Sequence, residues 1–107
     1  MVILGDPMFT GQAAKLAQSA IAARLPSIHN TSPYARAGGL LAYGPNLDEV
    51  WTLAARYVVR LLNGARAQDL PIERPSKFEL VVNAATARSL GLSLPREILV
   101  RADHVVE

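Results

Sequence analysis

The sequence contains no cysteine, which excludes disulfide bonds and thiolate metal sites. Its two histidines, His29 and His104, lie far apart, and neither has a second histidine at metal-ligand spacing, which favours structural roles. No Gly-x-Ser-x-Gly motif marks a nucleophile elbow. The chain therefore has no residue set typical of a metal centre or a catalytic nucleophile.

Phosphate-binding loops and dense positive charge are also absent. The pair Gly38-Gly39 belongs to no Gly-x-Gly-x-x-Gly or Gly-Lys-Ser/Thr motif, so no nucleotide or other cofactor is predicted. The net charge is +2, and the lysines and arginines form no run and no stripe interleaved with aromatics, which argues against nucleic-acid binding. No apolar stretch approaches the roughly 20 residues of a membrane-spanning helix.

The residues that are present predict a single α/β domain. Half of them are hydrophobic and 19% are charged, which favours a folded chain over a disordered one. Helical patterns alternate with short apolar runs, as in a three-layer, Rossmann-like fold with a parallel sheet. We predict strands at 1–4, 27–29, 40–43 and 78–82, helices at 11–24 (with Thr10 as N-cap), 47–63, 84–90 and 94–99, and a tail at 102–106 that is a short strand or disordered.

The helix predicted at 47–63 has the clearest signals in the chain. Asn46 is a good N-cap, and Glu49 stands where its carboxylate can reach back to the Asn46 N–H in a capping box. Gly64 can close the helix in a left-handed conformation. Apolar residues recur at helical spacing and predict a wide stripe that faces the core, with the single tryptophan, Trp51, within it.

Several blocks follow one another in a specific order along the chain. They are GGLLAYGPNLDEVW at 38–51, a helix end at 57–65, DLPIE at 69–73, PSKFELVVN at 75–83 and TARSLGL at 86–92. Together they resemble the C-terminal part of bacterial ABC-transporter substrate-binding proteins, in particular the group of tryptophan- and aromatic-solute-binding lipoproteins. The resemblance covers essentially the whole chain.

This resemblance implies that the chain is a fragment of a longer, two-lobed protein with a periplasmic-binding-protein-like fold. Residues 1–37 would belong to the second lobe, and residues 38–107 would contain a hinge strand and return to the first lobe. The resemblance further implies a periplasmic or lipid-anchored location and ABC permease subunits as partners. Residues 1–4 are too few for a signal peptide, so we expect any export signal to lie outside this sequence.

The best candidate ligand site is the segment Asp6–Thr10, between a predicted strand and a predicted helix. Ligands of open α/β sheets bind at such positions, and helix N-terminal N–H groups favour an anion such as a carboxylate. Asp6 could accept from an ammonium group, while Met8 or Phe9 could cover an apolar group. The alternative is that Asp6 makes a turn, Phe9 is core and Thr10 only caps the helix. The resemblance favours ligand contact, although the aromatic-solute group typically has Asp-Asn-Thr here.

Three further positions are candidates near the same cleft. The loop Asn30–Tyr34 follows the next strand, where Asn30 and Tyr34 offer hydrogen bonds and stacking, although an ordinary polar loop fits equally well. Tyr43 lies near the cleft or in the core. The pair Gly38-Gly39 is expected to bend the backbone at a hinge between lobes.

The sequence therefore predicts a non-enzymatic, solute-binding component of an ABC importer, with an amino acid as the expected class of solute. The alternative is a stand-alone cytoplasmic α/β module that senses a ligand or regulates. An enzyme of flavodoxin-like shape ranks last because no base, nucleophile or metal set accompanies Asp6. Because a fragment leaves apolar surfaces unpartnered, we also expect a homo-oligomer.

Overall fold

The computed structural model describes residues 1–107, which form one five-stranded sheet whose strands lie side by side in chain order. The strands are β1 (Val2–Ile3), β2 (Ile28–His29), β3 (Leu41–Pro45), β4 (Phe78–Asn83) and β5 (His104–Val106). The helices are α1 (Pro7–Gly11), α2 (Ala13–Ala22), α3 (Ser32–Arg36), α4 (Leu47–Leu62), α5 (Ala84–Ser89) and α6 (Arg96–Arg101), and a 3-10 helix spans Ala67–Asp69.

The sheet is mostly parallel, as predicted for an α/β fold, with one exception. β1–β2, β2–β3 and β4–β5 are parallel pairs, whereas β3 and β4 are antiparallel. The antiparallel pair arises because the chain leaves the sheet at the end of β3, runs through α4 and a loop, and returns at the same edge. The tail pairs with β4 as β5, so its strand alternative is the correct one.

Helices α1, α2 and α3 cover one face of the sheet. Alanines of α2 are buried, and their small side chains allow the helix to lie close to the strands, as their number in the sequence predicts. Two clusters of buried side chains fill this layer: Ile3, Ala13, Ala17 and Tyr34 form one, and Ala35, Ala42 and Val81 form the other.

The opposite face of the sheet is largely open along β1, β2 and β3, whereas Ile98 of α6 lies beside it and Val82 of β4 is buried. Strand alternation places a set of apolar side chains on it, and several of them are exposed or only half-buried. We refer to this set as the open face; it comprises Val2, Ile28, Leu41, Tyr43, Phe78 and Leu80.

The predicted start of the first helix, at residue 11 with Thr10 as the N-cap, is wrong. The chain forms two short helices, α1 and α2, and the cap is Asp6, whose Oδ1 accepts a hydrogen bond from the Met8 N–H at 2.8 Å. Pro7 occupies the first helical position, where its fixed φ and missing N–H are tolerated. Thr10 lies within α1 and its hydroxyl donates to the Asp6 carbonyl at 3.1 Å.

Helix α4 forms where predicted, but its apolar stripe is not in the core. None of its residues is buried, and Trp51, expected in the core, is 68% exposed. The helix projects from the sheet and makes the molecule elongated, with extents of 56 × 29 × 19 Å and a radius of gyration of 16.9 Å, compared with about 13 Å for a compact 100-residue domain. No helix has the length and apolar character needed to cross a membrane.

Candidate functional site

The carboxyl ends of β1, β2 and β3 meet at one edge of the sheet, because the three strands are parallel neighbours. Asn30 lies between the ends of the two flanking strands. A Cβ atom on Gly5 would lie 2.2 Å from Asn30 Nδ2, and one on Gly44 would lie 1.8 Å from the Asn30 carbonyl oxygen. Glycine at both positions therefore allows the strand ends to close on Asn30. We call Gly5, Asp6, Asn30, Gly44 and Asn46 the carboxyl edge.

Asp6 places a carboxylate at this edge. The residue is exposed, and one of its oxygens caps α1 while the other has no partner within the chain. A carboxylate that is held by a helix start and still open to solvent can accept hydrogen bonds from a ligand ammonium group. The structure thus brings Asp6 and Asn30 to the same edge, as the sequence predicted.

The neighbouring residues of α1 divide between surface and core. Met8 is 59% exposed, so its side chain is available to cover an apolar group. Phe9 is half-buried and packs against the cluster of Ile3 and Tyr34. Thr10 is half-buried and its hydroxyl is used within the turn. Of the three, only Met8 presents its side chain mainly to solvent.

Tyr34 lies in the core rather than at the edge. Its side chain has no exposed surface, its hydroxyl lies 2.6 Å from Ser27 Oγ, and its ring stacks on His29 with centroids 5.4 Å apart. These contacts use the hydrogen-bonding and stacking capacity that the sequence predicts for a ligand. A solute at the carboxyl edge would not reach this ring, so the expected ligand contact of Tyr34 is not favoured.

The pair Gly38-Gly39 precedes the amino end of β3, so it lies at the opposite end of the strands from the carboxyl edge. Gly38 has φ +110° and Gly39 donates its N–H to the Tyr34 carbonyl, so the pair closes α3 in a Schellman motif. A Cβ on Gly39 would lie 2.0 Å from the Tyr34 ring. Ending a helix and admitting Tyr34 account for both glycines, and their hinge role stays a prediction.

Tyr43 is adjacent to the carboxyl edge but on the open face. It is 56% exposed and lies against Phe78, with ring centroids 6.0 Å apart. This pair forms an apolar surface at the point where β3 leaves the sheet. It is accessible from solvent, whereas Phe9 is only partly exposed and Tyr34 is fully buried.

The start of α4 adds a polar cluster to the edge that the sequence only partly predicted. Asn46 Oδ1 accepts from the Glu49 N–H at 3.0 Å, which is the expected N-cap. The reciprocal bond of the capping box does not form. The Glu49 carboxylate instead accepts from Ser76 Oγ at 2.7 Å and the Lys77 N–H at 2.9 Å. These two hydrogen bonds lower the pKa of Glu49.

His29 is buried beneath the edge and is held in its neutral form. Its Nδ1 accepts from the Thr31 N–H at 3.1 Å and lies 2.9 Å from Thr31 Oγ1, while its Nε2 has no partner. Burial lowers the pKa of this imidazole, because the charged form would lose its hydration. His29 therefore acts as a core residue, in line with its structural interpretation. No group of three or more histidine, aspartate or glutamate side chains is placed to hold a metal ion.

Solved structures share this architecture. A conserved domain protein from Vibrio cholerae superposes with a TM-score of 0.90 at 23% identity over 97% of this chain and 35% of its own. An ABC domain from Streptococcus pneumonia in complex with L-Trp superposes with a TM-score of 0.87 at 21% identity, over 98% of this chain and 36% of its own. The ligand-free, open form of a substrate binding protein with adhesive properties from Clostridium difficile superposes with a TM-score of 0.62 at 20% identity, over 98% of this chain and 35% of its own. The chain thus spans about a third of the length of these proteins.

A protein family also matches the chain over almost its whole length. A family described as ABC transporter substrate binding protein matches residues 1–106. A comparison with curated proteins finds no match. Because the family match extends over nearly every residue, the chain belongs to the ABC transporter substrate binding protein family.

Proposed function

We propose that this chain forms part of a two-lobed protein that binds a small solute at the carboxyl edge and delivers it to an ABC permease. The observation that carries the proposal is the convergence of Asp6 and Asn30 at the ends of three parallel strands in a chain of this family. Open α/β sheets bind ligands at this position. The proposed role is transport without catalysis, in an extracytoplasmic or lipid-anchored setting.

The proposed solute class is an amino acid, with an aromatic one as the first choice. Asp6 would accept hydrogen bonds from the ammonium group, and the side-chain amide of Asn30 would donate through Nδ2 to the carboxylate. Met8 and Tyr43 would supply apolar contact, since both are exposed beside the edge. The structural relative in complex with L-Trp supports this choice of solute class.

The lobes are proposed to divide after the last residue of β3 and before the first residue of β4. The sheet formed by residues 1–45 and 78–107 would belong to one lobe, and residues 46–77, which include α4, would extend to the other. This proposal shortens the returning segment expected from the sequence, because β4 and β5 pair in the same sheet as β3. The unburied apolar stripe of α4 supports it, since such a stripe needs a partner.

Titration of the chain with L-tryptophan, followed through backbone amide shifts, tests the solute site. We expect weak binding, with a dissociation constant of about 1 mM or more, because one side of a cleft buries only part of a ligand. The shifts should cluster at residues 5–10, 29–31 and 43–46. Asp6→Asn should abolish them, and Asp69→Asn, a matched change at an exposed position remote from the edge, should not.

Shifts that cluster elsewhere, or none at the edge near the solubility limit of the amino acid, would contradict the proposed site. Binding at micromolar affinity would contradict the proposal that a second lobe completes it. L-Leucine and L-glutamate in parallel titrations separate apolar from charged preference. A response to L-glutamate alone would overturn the aromatic choice.

A further inference from the structure

The antiparallel ladder of β3 and β4 continues to the last residue before α4. Pro45 is paired with Phe78, and the Asn46 N–H donates to the Lys77 carbonyl at 2.9 Å. Beyond this bond the two segments diverge, one into α4 and the other into the loop that precedes β4. The chain therefore crosses out of the sheet and back into it through two adjacent, hydrogen-bonded segments.

Side chains close this crossing on both sides. Both carboxylate oxygens of Glu49 are used, Oε1 by Ser76 Oγ and Oε2 by the Lys77 N–H. Asn46 Nδ2 donates to Glu79 Oε2 at 3.1 Å, so the cap residue also contacts the returning strand. We call these five residues the crossover clasp: Asn46, Glu49, Ser76, Lys77 and Glu79.

The clasp explains why the predicted capping box forms only in part. In a capping box the Glu49 carboxylate would accept from the Asn46 N–H. That N–H already donates to the Lys77 carbonyl in the strand ladder. The carboxylate is therefore free to reach across to the returning segment. Helix capping therefore does not explain why the Glu49 carboxylate lies against Ser76 and Lys77.

Little else in the chain fixes the direction of α4. The helix has no buried residue, so no core packing holds it against the sheet. The Tyr57 hydroxyl donates to the Pro71 carbonyl, but this bond joins α4 to its own following loop rather than to the sheet. Residues 50–75 thus form an arm that is attached to the rest of the chain at the clasp.

We propose that Glu49 is a positioning residue that sets the direction in which the α4 arm leaves the sheet. Its two charge-assisted hydrogen bonds hold the first turn of α4 against the segment entering β4, so the arm and the start of β4 move as one unit. Where the chain works as part of a two-lobed protein, which rests on the proposed function, the clasp also sets the resting angle between the lobes.

Three variants and two local readouts test the proposal without any solute. Glu49→Ala removes both acceptors, and Glu49→Gln keeps one. Asp48→Ala is the matched control, since it removes a carboxylate from the same helical turn that makes no bond across the crossing. The readouts are hydrogen exchange at the Lys77 amide and the fluorescence anisotropy decay of Trp51, the only tryptophan, which lies on the arm.

We expect Glu49→Ala to accelerate exchange at Lys77 about tenfold, since a charge-assisted bond is lost from a locally opening segment. The anisotropy of Trp51 should fall with it. Glu49→Gln should give an intermediate result and Asp48→Ala none. Exchange at Val81 and Val82, in the centre of β4, should stay unchanged in all three.

An acceleration that extends equally to Val81 and Val82 would overturn the proposal, because it would report global destabilisation. Faster exchange at Lys77 with unaltered Trp51 anisotropy would also overturn it, since Glu49 would then order a loop without directing α4. Both readouts are independent of solute binding. Failure of the proposed solute site therefore leaves this test intact.

Discussion

At the residue scale, Gly44 has the most severe steric requirement in the carboxyl edge. A Cβ atom there would meet backbone of Asn30 rather than a flexible side-chain end. We expect Gly44→Ala to lower the free energy of unfolding by about 1–3 kcal/mol, since the strand ends must shift to admit it. Urea denaturation measures the change.

The matched control for this substitution is Gly11→Ala. Gly11 lies in α1 with open space around it, so the added methyl group should stabilise by about 0.5–1 kcal/mol or leave stability unchanged. Equal effects of Gly11→Ala and Gly44→Ala would show that the close approach at Asn30 is absent in solution.

His29 makes stability depend on pH at this same scale. Its lowered pKa in the folded chain means that the unfolded state binds the extra proton first as pH falls. Stability should therefore decrease below the pH of about 6.5 at which an unfolded histidine titrates, by at most about 1.4 kcal/mol per pH unit. His29→Gln should flatten this dependence. A stability that rises from pH 7 to pH 5.5 would contradict a buried, neutral His29.

At the element scale, the sequence predicted most strands and helices because each carries its own signal. α4 has an N-cap, acidic residues in its first turn and a closing glycine, and it forms within one residue of its predicted bounds. β4 is an apolar run beside turn residues, and it also forms as predicted. Local signals of this kind act within a few residues, so they are readable without the fold.

The start of the first helix was missed although a signal for it was present. Asp6 followed by Pro7 is a cap with proline at the first helical position, a pattern that indicates a helix from residue 7. Thr10 also caps well in isolation, and the prediction places the cap there. Competing cap residues four positions apart cannot be ranked without knowing where the preceding strand ends.

Local signals do not predict that the stripe of α4 is exposed or that Tyr34 is buried. An apolar stripe predicts that a helix needs a partner, but it does not say that the partner lies within the same 107 residues. Tyr34 follows a polar loop, and only the tertiary contacts with Ser27 and His29 show that its ring turns into the core. Tertiary contacts of this kind determine which side chains reach the site, as much as the residue types do.

At the scale of the whole molecule, two apolar surfaces lack a covering layer. The stripe of α4 is one, and the open face of the sheet is the other. Chains of this size rarely keep such surfaces in water without association, and a helix packed on a sheet face is the ordinary way to bury both. The architecture is that of a sheet with a projecting helical arm, rather than of two layers closed on each other.

These surfaces predict that the isolated chain self-associates. Light scattering coupled to gel filtration should give a mass above that of the monomer, rising with concentration. Leu62→Asp should reduce the association, because Leu62 lies on the stripe of α4 and is 82% exposed. Ile72→Asp is the matched control, since Ile72 is 97% exposed but lies outside the stripe. A monomer at every concentration would contradict the prediction and show that the stripe tolerates water. Equal effects of the two substitutions would contradict association through the stripe of α4.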